Sequence, residues 1–111
     1  MNAFKLGPRR IPYIDSDGVE GVGSIIINFG QPINLDVGEG ESIERQTGIL
    51  NVEIFGRNYI FLANGSDDIQ VAFYLMRIAG IWLVRVAEEE GLTLFHYNSF
   101  DIDDPMDVFE S

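Results

Sequence analysis

From Ile69 to Ala87 the chain carries only two charges, Arg77 and Arg85, while all eighteen of its carboxylates lie elsewhere. A near-uncharged stretch of that length reads as one long helix, because Gln70, Tyr74, Arg77, Ile81, Arg85 and Glu88 fall in a narrow wedge at 100° per residue and almost everything else on the wheel is apolar. Such a helix needs a broad apolar partner, and the rest of the chain must supply it as well as carry a net charge of −11. A membrane span is not expected: Arg77 near the midpoint would cost roughly 2.5–3.5 kcal/mol on insertion scales, and Glu88, Glu89 and Glu90 follow at once.

The partner is legible as strands. Arg9–Ile14, with Pro12 marking a sheet edge, leads through the turn Asp15-Ser16-Asp17-Gly18 into Val22–Phe29. Ile49–Phe55 and Asn58–Ala63 flank Gly56-Arg57, which reads as a type II′ hairpin loop with glycine first. That loop pairs Ile54 with Tyr59, Val52 with Phe61 and Leu50 with Ala63, and puts all six residues on one face. Asn34–Gln46 is Gly-rich and acidic and is expected to be a surface loop. Ser66 or Asp67 caps the helix, with Gln70 in capping-box spacing to Asp67, and Gly91 ends it. Three glutamates at its C-terminus oppose the helix dipole and predict fraying. Leu92–Tyr97 reads as a fifth strand or extended arm, and 98–111 as an extended acidic tail.

These elements predict one α+β domain over residues 1–111, an antiparallel sheet of four or five strands with the helix across one face. The helix is too apolar for one sheet face to cover. Its Val71, Ile78 and Trp82 flank is expected to be buried by something else, either the C-terminal tail or a second copy in a homodimer.

Gly65-Ser66-Asp67-Asp68-Ile69-Gln70-Val71-Ala72 running into Leu75 and Met76, with the aromatic and acidic tail, resembles an uncharacterised bacterial family of small domains of unknown function. That resemblance implies an α+β fold and brings no catalytic residues with it.

The chemistry-bearing residues are sparse. The absence of cysteine removes disulfides, thiolate metal sites and cysteine nucleophiles. Asp15-x-Asp17-Gly18-x-Glu20 has the look of a calcium-loop fragment, but without the full spacing or flanking helices it reads as a hairpin turn. Gly18, Gly21 and Gly23 are in the wrong order and setting for dinucleotide binding. His96 is the lone histidine, and it acts as a general base only if the fold brings a nucleophile or carboxylate to it. Lys5, Arg9 and Arg10 form one basic cluster, too small for direct nucleic-acid binding.

The expectation is therefore a non-enzymatic binding domain without metal or cofactor, inhibitor-like or immunity-like towards a basic protein partner. It would engage through Asp36, Glu39, Glu41 and Glu44 in the loop and Asp101, Asp103, Asp104 and Asp107 in the tail. The alternative is a hydrolase-like or metal-dependent enzyme using His96 and nearby carboxylates. Met1–Arg10 lacks the continuous apolar run of a secretory leader, so a cytoplasmic setting is expected.

Overall fold

The computed structural model describes residues 4–95. Six strands, β1 (Phe4–Ile14), β2 (Glu20–Phe29), β3 (Ile33–Gly38), β4 (Glu41–Ile54), β5 (Arg57–Gly65) and β6 (Thr93–Leu94), accompany one helix, α1 (Asp68–Glu90). Every strand pairing is antiparallel. The strands run β5-β4-β2-β1-β6 across the main sheet, and β3 pairs with the N-terminal part of β4. The chain is an α+β domain, with α1 lying mainly over β4 and β5.

The core forms where the two periodicities meet. Ile25, Ile27 and Phe29 of β2 and Leu50, Val52 and Ile54 of β4 recur every second residue and point to one side of the sheet, all of them buried. Against them α1 sets Val71, Leu75, Ala79 and Leu83 at four-residue spacing, followed by Val86. Gly48 makes the approach possible, since a Cβ there would lie 2.6 Å from Val71 Cγ1 and 3.1 Å from Leu75 Cδ1.

The β4–β5 hairpin differs from expectation in register. Ile54 pairs with Arg57, Val52 with Tyr59 and Leu50 with Phe61, two residues away from the expected pairing. The two-residue loop is Phe55-Gly56, with both φ values positive at 53° and 74°, the type I′ pattern rather than II′. Glycine is thus second in the turn, and Phe55 takes the left-handed conformation at a cost of roughly 1–2 kcal/mol. Its ring meets Tyr13 edge-on, centroids 6.0 Å apart, a contact worth about 0.5–1.5 kcal/mol that offsets much of that cost. Because the shift is an even number of residues, the faces survive it: Leu50, Val52, Ile54, Tyr59, Phe61 and Ala63 all join or pack against the core.

Asp67 is the N-cap. Its Oδ1 accepts the Gln70 backbone N–H at 2.8 Å, while Gln70 Oε1 accepts the Ser66 N–H at 2.7 Å. Asp67→Ala should cost about 1 kcal/mol of stability, read as a lower denaturation midpoint at unchanged slope. Gly91, at φ 69°, provides the left-handed C-cap, and the Leu92 N–H reaches Ala87 O at 2.8 Å. The three glutamates at this end are not left to oppose the dipole alone. Arg57 at the start of β5 reaches Glu89 at 3.0 Å and Glu90 at 3.8 Å, and its guanidinium lies 5.8 Å from the Trp82 ring centroid.

The Asn34–Gln46 segment is not a loop. It forms β3, the turn at Gly38-Glu39-Gly40 and the first part of β4, with Ile33 opposite Arg45, Asn34 opposite Glu44, Leu35 opposite Ile43 and Asp36 opposite Ser42. At roughly 3.4 Å per residue the five residues 41–45 carry this hairpin about 17 Å past the β4–β5 pairing, which begins at Gln46.

Candidate functional site

The two halves of β4 share one alternation, and it assigns every residue of the projecting hairpin to a face. Gly48, Leu50, Val52 and Ile54 point to the helix, so Ile43, Arg45, Thr47, Ile49 and Asn51 point away from it. In the arm, cross-strand pairing puts Ile33 and Leu35 on that outer face beside Ile43 and Arg45. Val37 follows by alternation, next to a register irregularity between Asp36 and Gly38. Ile33, Leu35, Val37 and Ile43 are all exposed, Val37 to 54%. The opposite face holds Asn34, Asp36, Ser42 and Glu44, so period two separates an apolar from a polar side on a two-stranded ribbon.

The apolar side does not end at the arm. Along β4 it continues to Ile49, which pairs with Leu62, and Asn51 pairs with Ile60. Leu62 is 68% exposed and Ile60 58%. The result is a strip of aliphatic side chains running from the arm tip over the back of the main sheet, with Arg45 as the cation within it. Exposed aliphatic strips of this kind are a feature of interaction surfaces.

The base of the arm is pinned. Gln46 Nε2 donates to Gly30 O at 2.9 Å and to Thr47 O at 3.1 Å, Thr47 Oγ1 donates to Gln31 O at 3.1 Å, and the Gly30 N–H reaches Thr47 O at 3.2 Å. Arg45 Nε donates to Asn64 Oδ1 at 3.3 Å, tying β4 to the end of β5 where the two halves of the strip meet. These bonds fix the direction in which the arm leaves the body. Further out, among the described residues, the β3–β4 ladder and the Asp36 turn hold it, the latter through Gly38 N–H to Asp36 Oδ1 at 2.8 Å.

The carboxylates expected in the 34–46 segment are therefore ordered on the arm. Asp36 and Glu44 lie on its polar face, Glu39 at the tip with a positive φ of 55°, and Glu41 at the start of β4. All four are exposed. With Arg45 as the only cation from 33 to 46, the arm carries a net charge of −3, four carboxylates less one guanidinium. Asp101, Asp103, Asp104, Asp107 and His96 lie outside the described residues.

The helix flank departs from expectation. Val71 is fully buried beside Gly48 and Gly65, and Trp82 stacks on Tyr59 of β5 with centroids 5.2 Å apart at 14°. Among the described residues β4 and β5 thus supply cover for both side chains, with β5 lying beside the helix, and the C-terminal tail expected as a cover lies outside the described residues. Ile78 is half-buried. It borders an open depression of about 510 Å³ that is also lined by Gln70, Phe73, Tyr74, Arg77 and Ile81. The helix residues left in solvent are those of the polar wedge and its margins, with Ile69 at 77% and Tyr74 at 57%.

The turn that has the look of a calcium-loop fragment is internally satisfied: Asp15 Oδ1 accepts the N–H groups of Asp17 and Val19, each at 2.9 Å. Among the described residues no group of three or more His, Asp or Glu side chains is placed to hold a metal ion, and no polar or charged side chain is buried. What the arrangement offers chemically is contact: an aliphatic strip that gains by leaving water, bordered by carboxylates that orient whatever approaches. Comparison with protein families, with characterised proteins and with solved structures finds no match.

Proposed function

We propose that this is a non-catalytic binding domain that engages a protein partner through the β3–β4 arm. The observation that carries the reading is the arm itself: an ordered ribbon, pinned at its base, that exposes Ile33, Leu35, Val37 and Ile43 on one side and carries four carboxylates. Exposing aliphatic side chains on a projecting edge invites aggregation and gives the isolated domain no packing in return. A partner that covers them accounts for the exposure.

The charge specifies the partner's chemistry. A surface with an apolar centre bordered by lysine or arginine would match the strip and its acidic margin. The −11 field of the whole chain would draw it in, with steering that fades over a Debye length of about 8 Å at physiological salt. This is an inhibitor-like or immunity-like mode of action, in which occupancy of a basic surface is itself the function.

The test is a salt series on the captured complex. Neutralising the arm with Asp36→Asn, Glu39→Gln, Glu41→Gln and Glu44→Gln should slow association about tenfold or more at low salt and flatten its salt dependence. An association rate and a salt slope that are the same for the neutralised and the wild-type arm would contradict the electrostatic part of the proposal.

A further inference from the structure

A second exposed apolar surface lies on the outer side of α1, across the sheet from the aliphatic strip and independent of it. Ile69, Phe73, Tyr74 and Ile81 are 77%, 56%, 57% and 45% exposed, so the helix that fills the core also leaves large side chains in water. Tyr74, Arg77 and Ile81 stand at three- and four-residue spacing and share one side of the helix. With Gln70, Phe73 and Ile78 they border the open depression of about 510 Å³. A ridge of side chains beside such a groove is the surface against which a second helix packs.

Charge identifies that second helix as another copy of α1. The chain as a whole carries −11 and repels its own copies over most of its surface. From 67 to 87 the charges cancel, Asp67 and Asp68 against Arg77 and Arg85. The acids lie at the first turn and the cations in the later part, so the pattern complements itself when reversed. Among the described residues neither Arg77 nor Arg85 forms an ion pair, whereas Arg57 is engaged by Glu89 and Glu90. Reversal also sets the two helix dipoles antiparallel, each positive end towards the other's negative end. An anionic membrane, which a helix face both apolar and basic could otherwise meet, is opposed by the −11 of the chain. Pairing this surface with itself buries on the order of 1,000 Å² in total, the low end for a specific interface, and so gives a reversible dimer.

We propose that two copies pair about a two-fold axis through antiparallel α1 helices, in the register that sets Tyr74 of one copy opposite Arg77 of the other. Gln70 then meets Ile81 of the second copy, and Arg85 comes to the second copy's acidic first turn. This register keeps the two Arg77 side chains from facing each other on the axis and lays each guanidinium beside a tyrosine ring. The contact is isologous, so it closes at two copies. The arm leaves the body at the end where α1 begins, since Val71 lies against Gly48 and Gln70 against Gly65. An antiparallel pair therefore sends its two arms out from opposite ends, and the dimer offers two binding ribbons.

Sedimentation of the full chain tests this, with an expected monomer–dimer equilibrium in the micromolar range. Ile81→Glu and Arg77→Glu should each weaken the dimer at least about tenfold. Both side chains are exposed, so the thermal midpoint should stay close to that of the wild type. Leu35→Ser with Ile43→Ser, on the far side of the sheet, should leave the equilibrium unchanged. The register is tested by disulfide formation, because the chain has no cysteine of its own. Gln70→Cys with Ile81→Cys in one chain should oxidise to a covalent dimer, and either substitution alone should not, since eleven residues of helix span roughly 16 Å, beyond the reach of a disulfide. A chain that stays monomeric, a dimer lost in the Leu35→Ser, Ile43→Ser variant, or single-cysteine chains that oxidise as readily as the doubly substituted one would overturn the proposal. A monomer whose Ile81→Cys thiol is shielded from a maleimide would overturn it in favour of cover supplied by the chain itself.

Discussion

Leu75→Ala should destabilise the domain by about 3 kcal/mol, and Gly48→Val by a comparable amount, although one removes volume and the other adds it. Leu75 is fully buried at the centre of α1, directly over β4. Truncation there loses the transfer energy of three carbons and leaves a cavity that the flanking Val71 and Ala79 cannot fill, a change that costs about 2–5 kcal/mol in comparable cores. Gly48 sits beneath the same turn. Any Cβ at that position meets Val71 Cγ1 at 2.6 Å, so valine forces the helix off the sheet, at the upper end of the roughly 1–3 kcal/mol of overpacking. The two effects should couple: Gly48→Ala should be relieved in part by Val71→Ala, because the second substitution removes the atom that the first one strikes. Urea denaturation of the single and double variants measures this, and strict additivity would mean that α1 does not lie on β4 as described.

Leu35→Ser combined with Ile43→Ser should have the opposite profile, a small effect on folding and a large one on binding. The two residues face each other across the arm and are 36% and 43% exposed, so serine should leave stability within about 1 kcal/mol. Desolvated aliphatic anchors at the centre of an interface each contribute about 2 kcal/mol when they are hot spots. Losing both should then weaken partner binding by a factor on the order of several hundred. A variant that binds normally would place the interface elsewhere, and one that melts far below the wild type would show that the arm belongs to the core.

How much of this could be read from residues alone depended on whether local signals had competitors. The helix was legible because carboxylates are excluded over nineteen residues that hold only two charges, and its ends because Asp67, Gln70 and Gly91 sit at capping distances that hold regardless of tertiary context. The β4–β5 faces were legible for the same reason, through strict alternation. Their register was not, because a single glycine can stand first in a type II′ loop or second in a type I′ loop. The choice fell to Phe55, whose left-handed backbone is tolerated beside Tyr13, forty-two positions earlier.

The arm was hidden by composition. Ile33, Leu35 and Val37 alternate as a strand should, and Gly38-Glu39-Gly40 is a turn signal, but four carboxylates and two glycines within the nine residues 36–44 read more readily as a solvated loop. Asp36, Glu39, Glu41 and Glu44, named from sequence as part of a loop, lie on the arm, while the aliphatic residues opposite them carried the missed information. The covering of Val71 and Trp82 by β5, and the Arg57 contacts with Glu89 and Glu90, join positions too distant in the chain for any local pattern to announce.

The most direct measurement is photo-crosslinking from a reactive residue placed at Val37 in living cells, with Val19 as the control position. Both sites are exposed valines, at 54% and 59%, but Val37 lies on the apolar face of the arm and Val19 at the β1–β2 turn. The account predicts a discrete crosslinked protein from Val37 that is absent from Val19 and disappears in the Leu35→Ser, Ile43→Ser background. Adducts from Val37 no different from those at Val19, or unchanged when the two aliphatic residues are removed, would contradict the claim that the arm is the binding surface.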